Sequence, residues 1–115
     1  MKINTIVLIS FSLLSLAFFS CSKNSADIIK IGEFASLTGS EATFGISSDN
    51  GMKLAVEEIN NAGGVLGKKI ELITEDNQGK PNETQTVVQK LINRDKVVAI
   101  LGEVASSRSK AAAPI

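Results

Sequence analysis

The amino-acid sequence predicts an α/β fold, a parallel, doubly wound, Rossmann-like sheet with helices on its faces. Two observations carry this expectation. Short runs rich in β-branched residues alternate with stretches of helical periodicity, in the order β-α-β-α-β-(α). The third run, "VVAIL" at Val97–Leu101, is apolar without interruption, as in a strand covered on both faces of a parallel sheet.

Taken in order, Ile28–Ala35 reads as the first strand, bounded by polar and small residues on both sides. "SLTGSEATFG", from Ser36, reads as a loop. The stretch from Ile46 then carries Met52, Ala55, Val56, Ile59 and Ala62 at helical spacing, with Lys53, Glu57, Asn60 and Asn61 elsewhere on the wheel. Gly63 and Gly64 stop this helix, because glycine takes the left-handed position after a helix without a Cβ clash. Lys69–Glu75 is the second strand. "NQGKPNE" is a turn, and Pro81 or Asn82 starts a second helix with Val87, Val88, Leu91 and Ile92 on one stripe. After the third strand, "SSRSKAAAPI" opens a third helix.

Right-handed crossovers gather the strand C-terminal ends on one edge. Three loops meet there: Ser36–Phe44, Asp76–Pro81 and Gly102–Ser109. With strand order 2-1-3, the connections leave strand 1 in opposite directions. Ligands bind at such a switch point, between the loops after strands 1 and 3.

The first twenty residues are different material. Lys2 is their only charge, and Ile6–Phe19 is apolar apart from three serines. A charged start and a short apolar run make a secretory signal, and the run is shorter than the ~20 residues of a spanning helix. Ser20 then precedes Cys21, the only cysteine, so residues 1–20 read as a lipoprotein signal and Cys21 as its lipidated thiol. The site resembles a lipobox, with Phe18 a departure from the usual aliphatic residue; ordinary cleavage beside an incidental cysteine is the alternative. Residues 21–26 are a polar tether, and residues 27–115 the folded part.

Composition excludes several functions. There is no His, so no Ser-His or Cys-His nucleophile pair exists, and one Cys with no His leaves no ordinary zinc site. No catalytic residue, metal or cofactor is expected. Lys+Arg and Asp+Glu are 12 each with no basic block, which gives nucleic-acid binding no support. "AGGVLGKK" departs from a phosphate loop, with Ala62 where glycine and Lys69 where Ser/Thr are required, and it follows a helix. Glu75 and Asp76 point to opposite sides of a strand end and read as solvated acids rather than as an acid/base pair.

The stretches "IKIGEFASLTGSEATFG", "NGMKLAVEEINNAGGVLGKKIELITED" and "QKLINRDKVVAILGEVASSRSKAAAPI" together resemble periplasmic substrate-binding proteins for branched-chain amino acids, of the type I, Leu/Ile/Val-binding class, which serve ABC importers. The resemblance covers about residues 27–115. It implies two α/β lobes that close on a ligand, with this chain holding an incomplete N-terminal lobe, as a fragment would. It implies ABC permease subunits as partners, a periplasmic or cell-surface location and a non-catalytic role. A ligand-sensing receptor domain of the same fold is the alternative function.

The resemblance also implies a site. Val104, Ala105, Ser106 and Ser107 would meet the α-carboxylate and α-amino groups of an amino acid, with Ser106 at the position of the family's ligand-binding serine. Hydroxyls and backbone amides at a helix start suit a carboxylate. Either serine could instead cap the helix. Phe44 matches an aromatic, usually Tyr, that packs on the ligand; core packing is its rival. Thr38 and Gly39 shape the turn before it. Arg108 could attract an anion, but at a first helical turn it reads as solvated. Some relatives join the second and third loops by a disulfide; Asn77, Gln78, Gly79 and Ala105 leave none here.

Overall fold

The computed structural model describes residues 28–115. The expected signal at 1–20, Cys21 and the tether at 21–26 lie outside the described residues. The element order is β1 (Ile29–Ala35), α1 (Ala42–Asn61), β2 (Ile70–Asp76), α2 (Pro81–Lys90), a π-helical turn (Leu91–Asp95), β3 (Ala99–Leu101) and α3 (Ser106–Ala112). The sheet is parallel and ordered β2-β1-β3, as the alternation predicts. Its register runs from Ile29 opposite Ile70 to Ala35 opposite Asp76, and from Ile31 opposite Ala99 to Glu33 opposite Leu101. All three strands therefore end on one edge.

The core lies on the α2 side of β1. Phe34, Val87 and Val88 pack together, with Ile100 and Ala112 against them, and Leu91 has no exposed surface. Pro81 is the first residue of α2, where a missing N–H leaves no intrahelical bond unmade.

Four expectations need correction. α1 begins at Ala42, so Phe44 stands on its first turn rather than in a loop. The cause is Gly45. A Cβ there would come 2.0 Å from the Ser36 carbonyl oxygen, so only glycine lets the helix start pack this closely on the end of β1. Second, the inner face of α1 is not the predicted apolar stripe. Met52 and Val56 are half-buried, but Ala55 and Ile59 are exposed, and Asp49 and Asn60 turn inward. Asn60 does so because its carboxamide bonds the β2 backbone: Nδ2 donates to the Ile70 carbonyl and the Ile70 amide donates to Oδ1, both at 2.8 Å. The helix then stops at Gly63, in the left-handed region at φ 107°, as expected.

Third, β3 is shorter than Val97–Leu101. Lys96 turns left-handed at φ 57°, and the Val97 amide donates to the Leu91 carbonyl instead of to the sheet. Fourth, β3 is covered on one face only: Ile100 packs on the core while Leu101 is exposed.

Candidate functional site

The strand ends are tied to one another by polar groups. The Asp76 carboxylate accepts from the Leu37 amide at 2.9 Å, the Thr38 amide at 3.3 Å, the Thr38 hydroxyl at 2.6 Å and the Gln78 amide at 2.8 Å. Partial burial acts to raise its pKa, but the hydrogen bonds from Thr38, Gln78 and Leu37 outweigh it and hold the carboxyl below its ordinary value. Glu75, on the other side of the strand, pairs with Lys90 at 2.5 Å. The two acids are thus structural anchors facing opposite ways, and neither is free in solvent.

Next to Asp76, Asn77 and Ser36 are fully buried. The Ser36 hydroxyl lies 3.0 Å from Asn77 Oδ1 and 2.8 Å from Glu103 Oε1, with its one proton available to either. Asn77 Nδ2 donates to Thr84 Oγ1 at 3.1 Å and also to Glu103. One network therefore joins the loops that follow all three strands. Buried polar groups satisfied in this way fix loop positions relative to each other.

Glu41, Phe44, Val104 and Ala105 line an open cavity of about 210 Å³. Glu41 and Phe44 come from the start of α1; Val104 and Ala105 come from the loop before α3. The structure thus brings three of the predicted residues into one hollow at the switch point. Phe44 is 69% exposed, so core packing is not its role. Ser106 and Ser107 follow directly as the first two residues of α3, both exposed. Neither caps the helix. Its N-cap is Ala105, and Ser109 makes the local tie, donating to the Glu103 carbonyl at 3.2 Å and accepting from the Glu103 amide at 3.3 Å. The internal bonds of α3 start with the Arg108 and Ser109 amides to the Ala105 carbonyl. The amides of Ser106 and Ser107 precede them.

Arg108 is not solvated as its position suggested. Its side chain is 13% exposed and forms an ion pair with Glu41, while Nη1 donates to the Ser107 hydroxyl at 2.9 Å. Glu41, Ser36, Asn77 and Glu103 were all missed by sequence reasoning. Glu41 alone left a trace, three residues before Phe44, but that spacing means contact only once the helix start at Ala42 is known.

A second polar cluster lies under α1. Glu33 has no exposed surface; its Oε2 accepts from the Thr74 hydroxyl at 2.9 Å, and Oε1 has no partner. Thr74 also lies 3.4 Å from Asp49, which pairs with Lys53 at 2.7 Å. Among the described residues no group of three His, Cys, Asp or Glu is placed to hold a metal ion. No described helix is long and apolar enough to cross a membrane.

Residues 28–115 match the family model described as periplasmic binding protein. The chain belongs to the periplasmic binding protein family. Among curated relatives, the leucine-, isoleucine-, valine-, threonine- and alanine-binding protein of Pseudomonas aeruginosa is 34% identical over 105 residues. That match covers 91% of this chain and 28% of the relative. Among solved structures, the branched-chain amino acid transporter substrate-binding protein LivJ of Streptococcus pneumoniae, in complex with isoleucine, is 40% identical with a TM-score of 0.73, over 75% of this chain and 25% of that one. A solute-binding protein of an ABC transporter from Rhodopseudomonas palustris, in complex with 3,4-dihydroxybenzoic acid, is 37% identical with a TM-score of 0.68, over 76% and 23% of the two chains. This periplasmic binding protein sequence thus spans about a quarter of the length of the relatives it matches.

Proposed function

We propose that the protein is the non-catalytic, extracytoplasmic solute-binding component of an ABC importer, and that it takes a branched-chain or related amino acid. The observation that carries this reading is the single cavity shared by Phe44, Val104 and Ala105. Phe44 supplies an apolar wall for a side chain. The Ser106 and Ser107 hydroxyls and the first amides of α3 supply donors for the ligand's carboxylate. The ligand closes two lobes, and the closed form docks on membrane permease subunits. Cys21 carries acyl chains that hold the protein at the membrane, each buried CH₂ contributing ~0.8 kcal/mol.

Relatives named for leucine, isoleucine and valine support the amino-acid reading. The relative holding dihydroxybenzoic acid favours a second reading, an aromatic carboxylic acid, which shares the carboxylate and lacks the ammonium. Calorimetric titration of the full-length protein with leucine, isoleucine, valine and dihydroxybenzoate separates the two. Ser106→Ala should weaken whichever ligand binds by ~1–3 kcal/mol, the loss of a hydrogen bond to a charged group. Unchanged affinity would remove Ser106 from the site, and heat with none of the four would remove the reading.

A further inference from the structure

We propose that Arg108 is a positioning residue of this cavity: paired with Glu41, it holds the wall that carries Phe44 against the wall that carries Val104 and Ala105. The inference rests on the ligand site proposed above and adds what sets its width. Glu41 immediately precedes α1 and lies on the same turn as Phe44. Arg108 sits in the first turn of α3, three residues after Ala105. Their ion pair therefore spans the hollow's two walls.

The guanidinium also reaches the turn after β2. It donates to Ser107 at 2.9 Å, and it lies against the turn after β2, where a Cβ on Gly79 would come 3.2 Å from Nη2. One planar fork thus touches the segments that follow all three strands, a geometry a lysine's point charge cannot copy. The Arg108 side chain is 13% exposed, so solvent screens this pair less than an open surface pair. Because Glu41 neutralises it, Arg108 offers no spare charge to an anionic ligand. A direct role in gripping a carboxylate would require breaking the pair.

The test is a double-mutant cycle in the full-length protein, read by calorimetric titration with leucine and isoleucine. Glu41→Ala and Arg108→Ala should each weaken binding about tenfold, and the double variant should lose no more than either single one. If Arg108 itself held the ligand, Glu41→Ala would leave binding unchanged or stronger, and that result overturns the proposal. So do losses that add. Arg108→Lys, which keeps the charge and drops the fork, gives the same direction at smaller amplitude and serves should the alanine variant not fold.

A second measurement needs no ligand. Spin labels at Thr43→Cys on α1 and Lys110→Cys on α3, in a Cys21→Ser background, report the distance between the walls. Arg108→Ala should widen that distribution, and an unchanged one overturns the proposal. If the wild-type protein takes up neither amino acid, yet Arg108→Ala widens the distribution, the proposed function falls and the positioning role stands.

Discussion

Glu33 is a carboxyl group in the middle of a strand with no exposed surface and only one of its oxygens bonded. Burial raises its pKa above the ordinary value, and the nearby Asp49 charge pushes the same way; Thr74 and Lys53 pull back less. A folded-state pKa above the unfolded one means that the folded state binds the proton more tightly. The associated stability is fully present below the ordinary carboxylate range, and it is lost as pH rises through the raised folded value. Glu33→Gln keeps the neutral form at every pH. Its melting temperature should exceed that of the wild type above neutral pH, with the gain shrinking in acid. A gain confined to acid would contradict the assignment. At this scale the sequence was legible where a residue type was rare. Phe44 is one of two aromatics among the described residues, and it lines the cavity. Glu33 was hidden because a lone acid in an apolar strand reads as an outward residue until a helix is laid over it.

Among elements, the alternation of runs carried the strand order, and the turns carried the detail. Parallel order β2-β1-β3 follows from local periods and crossover handedness, both visible in sequence. The start of α1 was not visible, because it depends on Gly45 meeting Ser36, a contact between segments that periodicity does not link. Asp76 is the same kind of feature: its bonds run to Leu37 and Thr38, far back in the chain. Its lowered pKa means that its stabilisation is present above the unfolded carboxylate range and is lost as pH falls through the folded value. Asp76→Asn should therefore lower the melting temperature at neutral pH and converge on the wild type in strong acid. Parallel curves of melting temperature against pH would show that the charge is not what holds the loop.

For the whole molecule, the proposed import role makes the described residues one side of a cleft and requires another. The cavity is open and lined by Glu41, Phe44, Val104 and Ala105, which that role reads as half of a site. The membrane attachment proposed for Cys21 depends on its thiol. Cys21→Ser should move the protein from the membrane fraction to the soluble one and abolish metabolic labelling with a fatty acid. A wild-type protein found in the soluble fraction and unlabelled by the fatty acid would return the leader to ordinary cleavage.

The Asn60 carboxamide has a consequence for encounters between molecules. Alternate residues of a strand turn their amide and carbonyl to opposite sides. The Ile29 amide donates to Lys69, so Ile70 faces outward, and Asn60 occupies both of its groups. A foreign strand seeking to extend the sheet at that rim finds the first rung already taken, a form of protection that open sheets otherwise obtain from charge or proline. Asn60→Ala should leave the rung vacant and make light scattering rise with protein concentration on mild heating; scattering as low as the wild type's would mean the rim is guarded elsewhere.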